Sequence, residues 1–151
     1  MPLSGCESRI ANLGPATMTD PSDSVRDFYA ALTRGDVAAV RALLHPQVQW
    51  TEAESFPYYS GTWEGPEAVI NNLLIPLARD WEGFSARAHE FIAAGDRVVT
   101  LGVYTGTFKK TGRAIEVAFA HVWTVRQEKL ARFDMYTDTA KVLQAVKVQR
   151  K

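Results

Sequence analysis

RAIEVAFAHVWTVR, residues 113–126, is a stretch in which bulky and small apolar side chains alternate. Successive side chains of a β-strand point to opposite faces, so the odd-numbered positions share one face and the even-numbered positions the other. A strand with one face in water alternates apolar with polar residues, whereas this stretch is apolar on both faces. We therefore expect the bulky face to line the core and the small face to be covered by a second copy of the chain, in a homodimer. The bulky face carries Val117, Phe119, His121, Trp123 and Val125, and the small face carries Ala118, Ala120 and Val122.

The same two-residue period predicts further strands on both sides of this stretch. After residue 84 the strands are predicted at 84–93, 97–108, 113–126 and 129–137, joined by short turns that contain Gly95, Gly112 or Gln127-Glu128. An earlier strand is predicted at 47–53, with Val48, Trp50 and Glu52 on one face. Residues 54–65 are predicted to form a loop with room for one short strand.

Helices are predicted before the run of antiparallel strands at 84–137, and one further helix is predicted after it. Each of three helices begins at an aspartate that can cap it, namely Asp20, Asp36 and Asp138. Another opens at Gly65-Pro66, and Pro76 is expected to kink or end it. Gly35 is expected to stop the first helix and His45-Pro46 the second. Helices followed by an antiparallel meander are typical of an α+β fold. The apolar faces of the first and last helices carry Val25, Phe28, Tyr29 and Leu32, and Val142, Leu143 and Val146.

Length and composition favour one small domain and disfavour several kinds of partner. The 151 residues carry 17 basic and 17 acidic side chains, so no net field attracts nucleic acid or an anionic membrane. The one cysteine, Cys6, cannot form an internal disulfide, and a cytoplasmic location is the default expectation. Residues 1–17 are predicted to be a disordered lead, 18–147 the domain and 148–151 a tail, and Met18 is a candidate for the initiating residue.

Several strings, taken in order, resemble the nuclear transport factor 2-like superfamily, and most of all its ketosteroid isomerase-like and SnoaL-like polyketide cyclase members. They lie between residues 25 and 140 and are VRDFYAALTRGD, LLHPQVQWTE, SGTWEGPEAV, KKTGR, AFAHVW and RFDMYTDTA. The resemblance implies a cone-shaped, strongly bent antiparallel sheet wrapped around the N-terminal helices.

The resemblance also implies roles for individual residues. Glu52 falls at the position of the carboxylate base of ketosteroid isomerases, and His121 at the position of their protonated acid. Phe28 and Leu73 fall where those enzymes have tyrosines, which argues against steroid isomerisation. A fold of this kind hosts enzymes and binding proteins alike, so the reaction has to be argued from the site.

The residues themselves support proton transfer at Glu52 and His121. A carboxyl group buried beside Trp50 should have a raised pKa, which suits a proton acceptor near neutral pH. Alternatively, the strand has ended by Glu52 and the group is solvated, as Glu54 would be. A neutral imidazole can donate at one nitrogen and accept at the other; alternatively, His121 is a core histidine satisfied by its neighbours. If the two side chains are in contact, they should titrate as a pair.

The predicted ligand-binding wall is apolar and aromatic. Tyr58, in the loop after Pro57, is predicted to reach into the pocket. Asp134 shares a strand face with Arg132, and this face is predicted to lie away from the core unless a bulge intervenes. The other wall residues are Phe28, Trp50, Leu73, Phe119, Trp123 and Met135.

These features predict a cofactor-independent isomerase, cyclase or dehydratase that acts on a small apolar, carbonyl-bearing or aromatic metabolite. No spacing of His, Cys, Asp or Glu typical of a metal site, and no glycine-rich phosphate loop, is present in the sequence. A non-catalytic ligand-binding domain and an interaction adaptor remain as alternatives.

Overall fold

Helices precede and follow a curled sheet in the computed structural model, which describes residues 20–148. The predictions for the lead 1–17, Cys6, Met18 and residues 149–151 lie outside this range. Within it, no helix is long and apolar enough to cross a membrane. The elements are α1 (Pro21–Arg34), α2 (Val37–Leu43), β1 (Leu44–Thr51), β2 (Thr62–Glu64), α3 (Pro66–Val69), a π-helical turn (Ile70–Leu74), α4 (Ile75–Asp80), β3 (Trp81–Ala94), β4 (Arg97–Phe108), β5 (Arg113–Arg126), β6 (Lys129–Thr137) and α5 (Thr139–Val146).

The three predicted aspartate caps are confirmed. The carboxylate of Asp20 accepts a hydrogen bond from the backbone N–H of Ser22 at 2.9 Å, which satisfies a donor that the first helical turn leaves free. Asp36 and Asp138 cap α2 and α5 in the same way. Gly35 ends α1 with a φ of 69°, a left-handed conformation that glycine adopts without steric cost.

Pro76 does not end the third helical segment, contrary to one of the predicted outcomes. The π-helical turn precedes it, and there the N–H of Ile75 bonds to the carbonyl of Ile70, five residues back. This wide turn places Pro76 in the first turn of α4, where a missing N–H costs little. The helical path therefore continues from Pro66 to Asp80.

The six strands form one sheet in the order β2-β1-β6-β5-β4-β3. All neighbouring pairs are antiparallel except β1 and β6, which run parallel and place the first strand beside the last. The predicted α+β fold with a curled sheet and N-terminal helices is confirmed. The strand boundaries 97–108, 113–126 and 129–137 are also as predicted.

Several predicted boundaries, at the α2–β1 junction, at the end of β1 and at the start of β3, are wrong. α2 ends at Leu43 and β1 follows without a loop, so the segment around His45 and Pro46 is strand, and β1 ends at Thr51. β3 begins at Trp81, three residues earlier than expected, because the irregular pairing around Gly83 conceals the strand period.

The odd-numbered face of β5 lies in the core, as predicted. Trp123 is fully buried, whereas Ala118 on the opposite face is exposed and Ala120 and Val122 are half-buried. In α5, Val142 is buried but Leu143 is 40% exposed, so the apolar face predicted for this helix is narrower than expected.

Candidate functional site

A cavity of about 460 Å³ lies between α1, the helical segment 66–80 and the inner face of the sheet. This volume is typical of a site for a small organic ligand. Its polar groups come from Glu52, Tyr29, Tyr104 and His121, with Thr33 and Ser85. The remaining lining residues are Phe28, Leu32, Trp50, Leu73, Leu74, Leu77, Ala78, Trp81, Gly83, Phe84, Ala86 and Phe133.

Glu52 lies just beyond the end of β1 and is nevertheless only 6% exposed. The indole N–H of Trp50 donates to its Oε1 at 3.4 Å, while Oε2 has no hydrogen-bond partner among the described residues. Burial raises the pKa of Glu52 to about 8, and the hydrogen bond from Trp50 lowers it only in part. The side chain therefore faces the cavity as predicted, mainly as a neutral acid at pH 7.

His121, on β5, is 3% exposed and has both ring nitrogens in hydrogen bonds to tyrosines. Nδ1 lies 2.5 Å from the hydroxyl oxygen of Tyr29, and Nε2 lies 2.5 Å from that of Tyr104. Burial holds the pKa of His121 well below its usual range, so the ring is neutral. Glu52 and His121 line the same cavity, but the imidazole is hydrogen-bonded to the two tyrosines and not to the carboxyl group of Glu52.

Tyr29 and Tyr104 are site residues that the sequence reasoning missed. Burial raises the pKa of both phenols, and the nearby charge of Glu52 raises that of Tyr104 further. The indole N–H of Trp123 donates to the Tyr29 hydroxyl at 3.2 Å. The resemblance placed Phe28 at the tyrosine position of α1, but the next residue along the helix supplies a hydroxyl group instead.

Gly102, in β4, leaves space for the aromatic ring on which the imidazole of His121 stacks. Phe119 pairs with Gly102 across the sheet, and its ring stacks on the His121 ring with centroids 3.9 Å apart. A Cβ atom on Gly102 would lie 2.4 Å from Cζ of Phe119 and 2.3 Å from the carbonyl oxygen of Arg87. The missing side chain therefore provides the space in which Phe119 lies flat beneath the imidazole.

The predicted wall residues divide into two groups. Phe28, Trp50 and Leu73 line the cavity as predicted. Phe119, Trp123 and Met135, which were also predicted to contact the ligand, are not among the lining residues; all three are buried behind the wall and pack against residues that form it. Phe133, which stacks on Trp50 with ring centroids 3.7 Å apart, takes their place in the lining.

Tyr58 also lies outside the cavity lining, contrary to the prediction. Its hydroxyl group donates to Oδ2 of Asp80 at 2.8 Å, which fixes the loop after β1 to the end of α4. Trp81, the residue after Asp80, lines the cavity and was missed because its strand was predicted to begin later.

Asp134 lies on the face of β6 that points away from the cavity, as strand parity predicted. Its Oδ2 accepts a hydrogen bond from Nε of Arg132 at 2.9 Å, and the arginine side chain is 55% exposed. A surface pair of this kind contributes about 0–1 kcal/mol to stability.

A second, more open depression of about 860 Å³ lies between α5 and the start of β5. Its basic residues are Arg113, Lys141 and Lys147, and Nη1 of Arg113 already donates to the backbone carbonyls of Gln144 and Lys147. None of the described polar side chains that line it is buried, so the cavity that contains buried Glu52 and His121 is the better candidate site.

Comparison with known proteins identifies the family. Residues 25–133 match the SnoaL-like domain, so the chain belongs to the SnoaL-like family within the nuclear transport factor 2-like proteins, and the predicted relationship is confirmed. No curated protein matches the sequence.

Solved structures show the same fold. An NTF2-like protein from Burkholderia thailandensis E264 is 37% identical, with a TM-score of 0.82 over 87% of this chain and 100% of that one. An NTF2-like protein from Burkholderia xenovorans LB400 is 30% identical, with a TM-score of 0.72 over 84% of this chain and 95% of that one. TerC, co-crystallised with polyporic acid, is 26% identical, with a TM-score of 0.74 over 84% of this chain and 98% of that one.

Proposed function

We propose that the protein is a cofactor-independent enzyme that moves a proton on a small, uncharged, largely apolar carbonyl compound, in an isomerisation, cyclisation or dehydration. One observation carries the proposal. Glu52 is a buried carboxyl group with a raised pKa, and its Oε2 has no hydrogen-bond partner among residues 20–148, in a cavity that the Tyr29–His121–Tyr104 cluster also lines.

In the proposed reaction, ionised Glu52 removes a proton from the carbon next to the substrate carbonyl. The electron pair of the broken C–H bond forms the enolate, and its negative charge moves to the carbonyl oxygen. A hydroxyl group of the cluster donates a hydrogen bond to that oxygen, and in an isomerisation Glu52 returns the proton to another carbon of the same molecule. A raised pKa suits Glu52 to both steps, because such a group accepts and releases a proton near neutral pH.

The residues that line the cavity favour an uncharged, flat ligand. In the described part of the chain no arginine or lysine lines the cavity, so an anion would be desolvated there without an ionic partner from these residues. Trp50, Trp81, Phe84 and Phe133 provide aromatic surfaces for a planar molecule. The complex of the related TerC with polyporic acid supports an organic ligand in this fold.

Deuterium exchange tests the proposed function. The protein is incubated in D₂O with a panel of small cyclic and aryl ketones, and loss of the α-proton signal is followed by ¹H NMR. Glu52→Gln keeps the size of the side chain but removes the base, so exchange should fall by about a hundredfold or more. Glu54→Gln, on an exposed neighbour, is the matched control and should exchange at the wild-type rate. Equal rates in wild type and Glu52→Gln would contradict the proposal.

A non-catalytic ligand-binding domain is the second candidate. It is favoured by the hydrogen bonds of His121, whose two nitrogens are both used by tyrosines and are not free to bind a substrate. For such a domain, Glu52→Gln would weaken binding of a ketone from the panel. For an enzyme, the same variant would lose exchange while binding changed little.

A further inference from the structure

We infer that the hydrogen bonds of the buried cluster run in one direction, from Trp123 through Tyr29 and His121 to Tyr104, so that the phenol of Tyr104 donates its proton to the ligand. As a catalytic assignment this rests on the proposed function, but the direction of the hydrogen bonds is a property of the ligand-free protein. His121 and Tyr29 are then positioning residues, and Tyr104 is the group that contacts the carbonyl oxygen.

The direction of the first hydrogen bond in this series is fixed by its donor. An indole N–H can only donate, so Trp123 donates to the Tyr29 oxygen. A neutral imidazole has one donor and one acceptor nitrogen, so of the two tyrosines bonded to His121 one must donate and the other must accept. Two arrangements are therefore possible, and they differ in which tyrosine keeps an unused proton.

In the first arrangement, Tyr29 donates to Nδ1 and Nε2–H donates to Tyr104. Tyr29 then accepts from Trp123 and donates to His121. Tyr104 accepts from His121 and keeps its own proton for the cavity that it lines. Among these four residues, the hydrogen left unused is that of Tyr104, which lines the cavity where a ligand would bind.

In the second arrangement, Tyr104 donates to Nε2 and Nδ1–H donates to Tyr29. The Tyr29 oxygen would then accept two N–H groups, while its own proton had no hydrogen-bonded acceptor among the described residues. The fully buried hydroxyl group of Thr100 lies near enough to act on the Tyr29 phenol, but it makes no hydrogen bond with any described residue. An unsatisfied buried donor is costly, so the first arrangement is favoured.

The first arrangement also fits the position of Tyr104 relative to Glu52. Tyr104 lines the cavity and is close enough to Glu52 for the carboxylate charge to act on its phenol. A carbonyl compound bound between them would have its oxygen next to a donor and its α-carbon next to the base. The substrate class is therefore a compound whose enolate oxygen accepts a single hydrogen bond from a phenol.

The tautomer of His121 tests the inference without a ligand. The chain contains three histidines, so the His45→Gln/His89→Gln double variant, changed at two positions outside the cavity lining, leaves His121 as the only one. The ¹⁵N chemical shifts of its ring should show a protonated Nε2 and an unprotonated Nδ1. A protonated Nδ1, or protons on both nitrogens, would overturn the inference.

Two tyrosine variants in the same background test the direction. Tyr104→Phe removes only an acceptor and should leave the proton on Nε2. Tyr29→Phe removes the donor to Nδ1 and should produce a mixture of tautomers. The reverse pattern, in which Tyr104→Phe alone changes the tautomer, would overturn the inference.

The exchange assay then tests the catalytic assignment. Tyr104→Phe should slow exchange by about a hundredfold, as expected for loss of one oxyanion donor, whereas exposed Tyr59→Phe should leave it unchanged. Exchange that depends on Glu52 but not on Tyr104 would overturn the role of Tyr104 alone. Exchange that is independent of Glu52 would instead contradict the proposed function and leave the measured tautomer standing.

Discussion

Glu52 is held in a place where a carboxylate is poorly stabilised. Within residues 20–148, its one hydrogen bond comes from the indole of Trp50, and no cationic side chain lines the cavity around it. The neutral acid loses much less hydration energy on burial than the anion does, so the protein stabilises the protonated form. The same environment that favours the acid makes the anion reactive once it forms.

The stability of the protein should depend on the ionisation of Glu52. A glutamate in an unfolded chain ionises above a pH of about 4.5, whereas Glu52 in the fold ionises only above about 8. Between these values the folded state holds the proton more tightly than the unfolded state. Stability should therefore fall as the pH rises from about 4.5 to 8, by on the order of 5 kcal/mol, and level off above that range.

Glu52→Gln should remove this dependence. Urea unfolding at pH 5 and pH 9 should show a variant that gains stability over wild type as the pH rises, because the glutamine does not ionise. Glu54→Gln provides the control and should follow the wild-type curve. A constant difference between wild type and Glu52→Gln across this range would contradict the raised pKa.

Strand parity was enough to find part of the site from the sequence. The alternation in β5 and β1 correctly placed His121 and Glu52 on the inner face, because the side of a strand on which a residue lies is a local property. The partners of His121 were not predictable in this way. Tyr29 and Tyr104 reach it from a helix and from a neighbouring strand, and only the packing of these elements brings the hydroxyl groups to the two nitrogens.

At the scale of the elements, local signals also explain which boundaries were found. Aspartate caps and tight turns mark the ends of α1 and of the last three strands, so these were predicted closely. The junction from α2 to β1 has no loop, and the π-helical turn before Pro76 lies within a continuous helical path. Neither leaves a recognisable pattern in the sequence.

The contact between β4 and β5 at Gly102 gives a prediction about elements. Gly102→Ala would place a methyl group against the Phe119 ring and against the backbone carbonyl of Arg87, and the carbonyl cannot move without disturbing the β3–β4 pairing. The variant should be destabilised by about 1–3 kcal/mol in urea unfolding, and the tautomer preference of His121 should weaken. Wild-type stability together with an unchanged imidazole spectrum would show that the close packing is not required.

At the scale of the whole molecule, the outer face of the sheet remains to be explained. Ala118 is exposed, Ala120 and Val122 are half-buried, and Tyr136, which pairs with Ala120 across the sheet, is 59% exposed. An apolar surface of this kind is typical of an interface, so we propose a homodimer formed through this face. A cytoplasmic location likewise stays a prediction.

The homodimer can be tested by light scattering coupled to size-exclusion chromatography. Ala120→Arg places a charge in the middle of the proposed interface and should convert the dimer to a monomer. Ala38→Arg adds the same charge to an exposed position on α2 and should leave the dimer intact. A monomeric wild-type protein, or a dimer that tolerates Ala120→Arg, would contradict the proposal.

The account depends most on the ionisation of one carboxyl group. With ¹³C-labelled glutamate, the carboxyl resonances can be followed by NMR from pH 4 to 10, and the Glu52 signal is identified by its absence in Glu52→Gln. We predict that this signal titrates at a pH of about 8. Titration below a pH of about 5, as for a solvated glutamate, would contradict the central claim that Glu52 is a buried, reactive acid.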